Sequence, residues 1–193
     1  MPVEFSDAED VDELGTAGFM RIEEFSEQGV YRGAVFVVNA RGEPLEFTYN
    51  SVQVPNSFLW RSSDIRRHAT RRIATSMFQT CQSRPKFIIC LGKEVDHDVF
   101  CRDLRLAIPV CRIIPALETV GRDISEQVEA ISGDAPLNAF WHPEKPLVGS
   151  TESRLFSRLA ASGLLLEPFE RIARGLAEVY RDSGEHEQST KEG

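Results

Sequence analysis

A turn cluster between two strand-like runs constrains the fold of this chain more than any other feature. The cluster spans residues 39–44 and contains a glycine able to adopt a positive φ and a proline suited to the start of a strand. Residues 31–38 are rich in β-branched and aromatic side chains, and residues 45–49 alternate between apolar and polar. A third alternating run, residues 19–25, precedes them. The sequence therefore predicts an antiparallel meander of three strands.

The pattern after the meander alternates between helix and buried strand. A helix is predicted to begin at Asn56 or Ser57 and to end near Cys81, because apolar residues recur there every four positions. Residues 86–91 and 108–114 are short runs that are apolar on both faces, as in buried parallel strands. A short helix is expected between them. This order predicts an α/β fold with a mixed sheet, in which the three-strand antiparallel meander is followed by α-β-α-β crossovers.

The remaining pattern predicts a helix, an edge strand and a C-terminal helical hairpin. Residues 118–132 place apolar side chains on one face of a helix, and residues 137–141 read as an edge strand. A hydroxyl residue at 150 or 151 caps the first helix of the hairpin, and Gly163 ends it. Pro168 lies in the first turn of the second helix, where its missing N–H has no cost.

Composition divides the chain into four segments. Residues 1–17 contain six acidic and no basic residues and are expected to form a flexible arm. Residues 18–148 form the α/β domain, residues 149–182 the helical hairpin, and residues 183–193 a polar, disordered tail. No apolar run approaches the roughly 20 residues of a membrane span, and the acidic N-terminus differs from a signal peptide. A cytoplasmic protein without membrane contact is therefore expected.

Basic residues are concentrated in the middle of an otherwise acidic chain. The net charge is −8, yet residues 30–117 carry 13 basic and 7 acidic residues. The predicted binding surface on and after the long helix comprises Arg66, Arg67, Arg71, Arg72, Arg84 and Lys86. Arginine suits phosphate or carboxylate, so nucleic acid, an anionic ligand and an acidic protein surface are all candidates. We favour a protein partner or a second copy of the chain over nucleic acid. The chain's own acidic ends are a further candidate. Aromatic residues are not interleaved with these arginines, which argues against single-strand binding.

Motifs for nucleotide binding, zinc proteolysis and serine hydrolysis are absent from the sequence. The four cysteines lack the Cys-x-x-Cys spacing of structural metal sites, so no metal is expected on them, and Cys90 and Cys111 are predicted to be buried. His97 and His142 are the histidines in suitable positions for a site. The Asp96-His97-Asp98 run fits either a metal or acid/base cluster or a helix cap, and we favour the cap.

The predicted strand order resembles that of the ribonuclease H-like nucleases, which place acidic residues around two metal ions. The resemblance covers residues 18–115 and implies Mg²⁺ or Mn²⁺ as the cofactor. The carboxylates offered are Glu23, Glu24, Asp64, Glu94 and Asp96. The family has an aspartate in the middle of the first strand, where this chain has glutamate or apolar residues.

The hairpin at residues 31–47 resembles the opening segment of small uncharacterised bacterial proteins. Both share an Arg-Gly-Ala start and a Gly-x-Pro-Leu-Glu-Phe return, which implies a bacterial origin. Within this hairpin, Glu46 is expected to point to solvent by strand alternation, with an ion pair to Arg32 as the alternative.

These features lead to one expected function and two alternatives. The expectation is a non-catalytic subunit or adaptor of a bacterial multi-protein system, without cofactor, that binds a protein partner through the basic helix and C-terminal helices. The first alternative is a metal-dependent nuclease or phosphodiesterase with a ribonuclease H-like fold. The second is a nucleic-acid-binding accessory subunit.

Overall fold

Seven strands and three longer helices make up the described part of the chain. The computed structural model describes residues 11–26, 29–54, 59–119, 128–132 and 136–188. The strands are β1 (Thr16–Ser26), β2 (Val30–Asn39), β3 (Pro44–Gln53), β4 (Ile88–Leu91), β5 (Val110–Pro115), β6 (Val128–Ile131) and β7 (Leu137–His142). The helices are α1 (Ser62–Thr80), α2 (Thr151–Ala161) and α3 (Glu167–Gln188). Short helical turns lie at Val11–Leu14, Val99–Asp103 and Ala116–Thr119.

All seven described strands join one mixed sheet in the order β3-β2-β1-β4-β5-β7-β6. β2 pairs antiparallel with both β1 and β3, which forms the predicted meander. β4 runs parallel to β1 on one side and to β5 on the other. β7 pairs antiparallel with β5 and β6. The predicted α/β class with a mixed sheet and a C-terminal helical hairpin is therefore confirmed.

The turn between β2 and β3 has the chemistry that the sequence indicates. Gly42 adopts a φ of +79°, which favours glycine. The Asn39 side chain accepts hydrogen bonds from the backbone N–H groups of Arg41 and Glu43, at 2.9 and 3.0 Å. These bonds satisfy backbone donors inside the turn and so set the register of the hairpin.

Alternation along β1 produces two apolar layers, one on each face of the sheet. Phe19 and Met20 are both fully buried, but successive strand residues point to opposite faces. Phe19 packs edge-on against Phe169 of α3, with ring centroids 5.5 Å apart. Met20 belongs to the cluster that contains Ile73 and Met77 of α1. The sheet therefore lies between α1 on one face and the helical hairpin on the other.

The predicted helix over residues 118–132 is wrong where the structure describes it. Val128–Ile131 is strand β6, which pairs antiparallel with β7, and only a short turn at Ala116–Thr119 is helical. Residues 120–127 lie outside the described residues. β7 is an inner strand, because β6 forms the edge that the sequence analysis assigned to residues 137–141.

The C-terminal hairpin follows its sequence signals closely. Ser150 caps α2, since its side chain accepts the N–H of Ser153 at 3.2 Å. Gly163 has a φ of +71° just after α2, and Pro168 lies in the first turn of α3. α1 begins at Ser62 rather than at residue 56 or 57, and residues 55–58 lie outside the described residues.

The boundaries of the four composition segments stay predictions, and three observations bear on them. Val11 and Leu14 are buried within the predicted arm. β1 begins at Thr16, before the predicted domain start at residue 18, and α3 continues to Gln188. A helix both long and apolar enough for a bilayer crossing is not found among the described residues.

Candidate active site

A pocket lies where the carboxyl ends of β1 and β4 face the first half of α1. Parallel strands present their carboxyl ends at one edge of a sheet, which is where α/β proteins collect ligands. The cavity volume is about 270 Å³. The lining residues are Ile22, Glu23, Glu24, Tyr31, Arg66, Thr70, Lys93 and Glu94. Three of the five carboxylates offered by the sequence therefore line one pocket, together with two basic residues.

Glu94 occupies the edge of β1 that β4 leaves free. The parallel pairing of β1 with β4 ends at Met20 and Cys90. Two residues further along β1, the backbone N–H of Ile22 donates to Glu94 Oε2 at 3.3 Å. The Glu94 side chain is only 10% exposed. Burial raises the pKa of Glu94, while the charge of Arg21 opposes that rise. The carboxylate is thus held firmly at the pocket wall.

Arg21 lies between two of the three carboxylates. Its Nε is 3.3 Å from Glu94 Oε1, and its Nη2 is 3.3 Å from Glu23 Oε2. Its Nη1 donates to the carbonyl of Phe169, at 3.2 Å, on α3. The guanidinium therefore supplies a positive charge between Glu23 and Glu94.

Glu24 is held by a different partner. It lies directly across from Tyr31 in the antiparallel register of β1 and β2. The Tyr31 side chain hydrogen-bonds with Glu24, and burial, followed by the charge of Glu24, raises the pKa of this tyrosine. Tyr31 is almost fully buried, and its hydrogen bond holds the Glu24 carboxylate in place.

Asp64 and Asp96, the other two carboxylates of the suggested set, are not among the pocket residues. Both are exposed, and Asp64 lies in the first turn of α1. Asp96 Oδ1 accepts the N–H of Asp98 at 3.3 Å, which supports its favoured role at a helix start, whereas the Asp98 side chain makes no capping bond. The structure therefore places Glu23, Glu24 and Glu94 at one pocket and leaves Asp64 and Asp96 outside its lining, so the role of all five stays a prediction.

The first residues of the predicted basic surface have different roles. Arg66 lines the pocket and donates to the carbonyl of Lys93 at 2.8 Å. Arg67 pairs with Asp103, with Nη2 at 2.7 Å from Oδ1, and its Nη1 is 3.7 Å from Asp98. Because Arg67 serves an internal ion pair, it is less available to a ligand than Arg66.

The other basic residues do not form one surface with the pocket. Arg71, Arg72 and Arg84 are exposed. Lys86 instead contacts Glu152 of α2 at 3.8 Å, on the opposite side of the sheet from α1. The six predicted binding residues are thus divided among a pocket wall, an internal ion pair, an exposed helix face and the opposite layer.

The sequence analysis did not identify Trp60, an exposed tryptophan just before α1. Trp60 is 44% exposed and packs edge-on against His68, with ring centroids 5.0 Å apart. Burial, followed by the charges of Arg71 and Arg72, lowers the pKa of His68. Trp60 precedes the helix in sequence, so a search for aromatic residues among the arginines does not find it.

Neither expectation for Glu46 is correct. Its carboxylate accepts the backbone N–H groups of Gln82 and Ser83, at 2.8 and 2.6 Å, and the Thr48 hydroxyl at 2.9 Å. Gln82 and Ser83 follow the last turn of α1. Glu46 therefore attaches the end of α1 to β3.

A second group of polar side chains lies away from the carboxylate pocket. His97 Nε2 is 2.8 Å from Cys101 Sγ, which is 3.2 Å from His142 Nδ1. The spacing of His97 and Cys101 by four residues was a usable signal, but the pairing of β5 with β7 was needed to bring in His142. Cys90 and Cys111 are fully buried, as predicted.

Comparison with known proteins finds similarity in structure alone. No protein-family model and no curated protein matches the chain, so the resemblance of the hairpin to a bacterial family gains no support. Endonuclease V from Streptomyces avermitilis superposes with a TM-score of 0.56 at 11% identity, over 88% of this chain and 91% of that one. Endonuclease V from Bacillus subtilis gives 0.49 at 13% identity, over 79% and 76%. Argonaute from Marinitoga piezophila, with guide RNA and target DNA, gives 0.37 at 8% identity, over 77% of this chain and 26% of its own.

At these identities the Streptomyces structure indicates a shared fold, which agrees with the resemblance in strand order to the ribonuclease H-like proteins. That neighbour is named as an endonuclease. This finding overturns the expected non-catalytic adaptor, and with it the description of the chain as a protein-interaction subunit, and favours the nuclease alternative.

Proposed function

We propose that this protein is a metal-dependent nuclease or phosphodiesterase whose site is the pocket at the carboxyl ends of β1 and β4. The observation that carries the proposal is the joint lining of this pocket by Glu23, Glu24 and Glu94, with Arg66 and Lys93 beside them. Carboxylates suit a metal ion and basic side chains suit the phosphates of a substrate. The shared fold with an endonuclease supports the same assignment.

The donor chemistry of the pocket fits a hard divalent cation such as Mg²⁺ or Mn²⁺. Carboxylate oxygens are the preferred ligands of these ions, and Glu23 and Glu94 already share a cation in the guanidinium of Arg21. Glu23, Glu24 and Glu94 would hold the ion, with Arg21 as its competitor. Their carboxylate oxygens do not all lie within 4.8 Å of one another, so binding of the ion would require these side chains to move together. A bound ion would supply Lewis-acid polarisation of a phosphoryl group and activation of water at this pocket.

The residues around the carboxylates have defined tasks in this proposal. Arg66 is anchored by its bond to the Lys93 carbonyl and holds a positive charge at the pocket wall. Lys93 is exposed and provides a second charge for a phosphate. Tyr31 orients Glu24 through their hydrogen bond. Together they bind and position a phosphodiester against the carboxylates.

The exposed face of α1 extends this site along the substrate. Arg71 and Arg72 lie one turn or more beyond Arg66, and neither is buried. Trp60, just before α1, forms an aromatic pair with His68 of α1. Base stacking on an exposed tryptophan is worth about 1–3 kcal/mol per base. A single-stranded segment that leaves the pocket therefore has both phosphate and base contacts available.

A second candidate function, nucleic-acid binding without cleavage, is favoured by Arg21. Its guanidinium neutralises Glu23 and Glu94, and Glu94 also serves as a structural acceptor for the Ile22 N–H. In this account the carboxylates stabilise β1, and the basic residues bind phosphate by themselves.

Cleavage assays distinguish the two functions. Purified protein is incubated with single- and double-stranded DNA and RNA in Mg²⁺, in Mn²⁺ and in a chelator. The nuclease proposal predicts metal-dependent cleavage that falls at least about 100-fold in Glu24→Gln, since even outer-shell changes at metal sites cost about 10–100-fold. Asp64→Asn, an exposed carboxylate on α1, is the matched control and is expected to retain cleavage.

The proposal fails if binding to nucleic acid is measurable but no cleavage occurs in any metal. It also fails if the Glu24→Gln and Asp64→Asn variants cleave equally well, because the activity then does not depend on the pocket. The first result supports the accessory function.

A further inference from the structure

His97, Cys101 and His142 come together from two separate parts of the chain. His97 and Cys101 are one helical turn apart in the β4–β5 connection, and His142 is the last residue of β7. The candidate ligand atoms of all three side chains lie within 4.8 Å of one another. Among the residues that the structure describes, no other group of three His, Cys, Asp or Glu side chains meets this criterion.

The donor set of this group differs in kind from that of the carboxylate pocket. Two imidazole nitrogens and one sulfur favour a borderline-soft transition metal, whereas Mg²⁺ and Mn²⁺ prefer oxygen ligands. Zinc sites are commonly built from histidine and cysteine, with Zn–S about 2.3 Å and Zn–N about 2.0–2.1 Å. The chemistry therefore indicates zinc.

The separations also suit one ion. A tetrahedral zinc ion with these bond lengths holds its nitrogen and sulfur ligands about 3.3–3.6 Å apart. Here Cys101 Sγ is 2.8 Å from His97 Nε2 and 3.2 Å from His142 Nδ1. The two sulfur–nitrogen distances are thus shorter than those of a zinc site by about 0.1–0.8 Å.

A carboxylate lies near the second ring nitrogen of His97, although beyond hydrogen-bond distance. Its Nε2 faces Cys101, while its Nδ1 is 3.9 Å from Asp98 Oδ1. Metal-bound histidines usually present their other ring nitrogen to a carboxylate, which fixes the ring orientation. Asp98 is in turn held by Arg67, 3.7 Å away, and by Arg102 at 3.4 Å. Two arginines therefore hold the Asp98 carboxylate near His97.

We propose that His97, Cys101 and His142 bind one zinc ion, at a site separate from the carboxylate pocket and independent of its function. All three side chains are half-buried, so a water molecule can complete the tetrahedron. The ion links the β4–β5 connection to the end of β7, two segments that the sheet hydrogen bonds do not join directly. Zinc binding is therefore expected to stabilise the fold, because the unfolded chain does not present a preformed site.

The test uses tag-free full-length protein, loaded with Zn²⁺ and dialysed against metal-free buffer. Elemental analysis is expected to find one zinc ion per chain in the wild type. Cys101→Ser is expected to lower zinc affinity by more than about 100-fold, judged from the 10–100-fold cost of losing an outer-shell partner. Cys81→Ser is the matched control, because Cys81 is also half-buried but contacts the Ser83 carbonyl instead.

Two further measurements keep the result decisive. Loading with Co²⁺ in place of zinc is expected to give the charge-transfer absorption of a cobalt–thiolate bond, which Cys101→Ser abolishes and Cys81→Ser retains. His142→Asn is a second variant in case Cys101→Ser does not fold. Zinc retention equal to wild type in both site variants, or a wild type that retains no zinc and shows no thiolate band, overturns the proposal.

Discussion

The attachment of α1 to β3 by Glu46 gives a stability prediction with a defined pH dependence. Burial by itself would raise the pKa of Glu46, but the bonds from Ser83, Gln82 and Thr48 outweigh it and lower the pKa from 4.5 to about 2. The ionised carboxylate of Glu46 therefore stabilises the folded state. Replacing it by Glu46→Gln removes the charge but keeps one acceptor oxygen.

The size of the effect follows from the pKa. A change from 4.5 to about 2 corresponds to about 3 kcal/mol of preference for the ionised folded state. Glu46 is only half-buried, and solvent screening reduces this to about 1–2 kcal/mol. Because the folded pKa is below the unfolded one, the contribution is complete above about pH 5 and is lost as the pH falls from 4.5 toward 2.

Urea denaturation of wild type and Glu46→Gln at pH 7, 5 and 3 measures this directly. The variant is expected to be less stable by about 1–2 kcal/mol at pH 7, with a smaller difference at pH 3. Glu178→Gln is the control, since Glu178 is 65% exposed and pairs only across the surface of α3. The reasoning is refuted if Glu46→Gln has no effect at pH 7, or if its effect is the same at pH 3.

Three further outcomes are expected. Gly33→Ala should lower the free energy of unfolding by about 1–3 kcal/mol, because its Cβ would lie 2.6 Å from Ile73 Cγ2 and 3.0 Å from a β1 carbonyl; unchanged urea unfolding would contradict this packing. By NMR titration, the His68 imidazole should ionise below its ordinary pKa of 6.5 and move upward in Arg71→Ala; an unshifted value in both proteins would exclude the arginine effect. Trp60→Ala should weaken single-stranded DNA binding about 5- to 150-fold, the equivalent of one stacked base, and equal affinity would remove stacking from the account.

The sequence predicts the fold best where the signals are local. The meander depends on a turn and alternating runs close together in the chain, and the hairpin α2–α3 on Ser150, Gly163 and Pro168. Val128–Ile131 is harder, because four residues with apolar side chains three positions apart fit a helix as well as a strand. The antiparallel pairing of this segment with β7 makes it a strand.

The candidate site is predictable in part for the same reason. Glu94 follows a parallel strand that lies beside β1, so topology brings it to Glu23 and Glu24. The exclusion of Asp64 and Asp96 depends on side-chain directions that strand order does not determine. Glu46 likewise finds its partners 36 and 37 residues away, at the end of a helix whose length the pattern does not define.

The most direct test of the central claim is the rate of nucleic-acid cleavage as Mn²⁺ is titrated, in wild type and in Arg21→Met. If the pocket carboxylates bind the ion in competition with Arg21, both proteins cleave, and the variant reaches half of its maximal rate at a lower Mn²⁺ concentration. Circular dichroism and urea unfolding establish that the variant is folded. Absence of Mn²⁺-dependent cleavage in both folded proteins, or identical titration curves, would contradict the account.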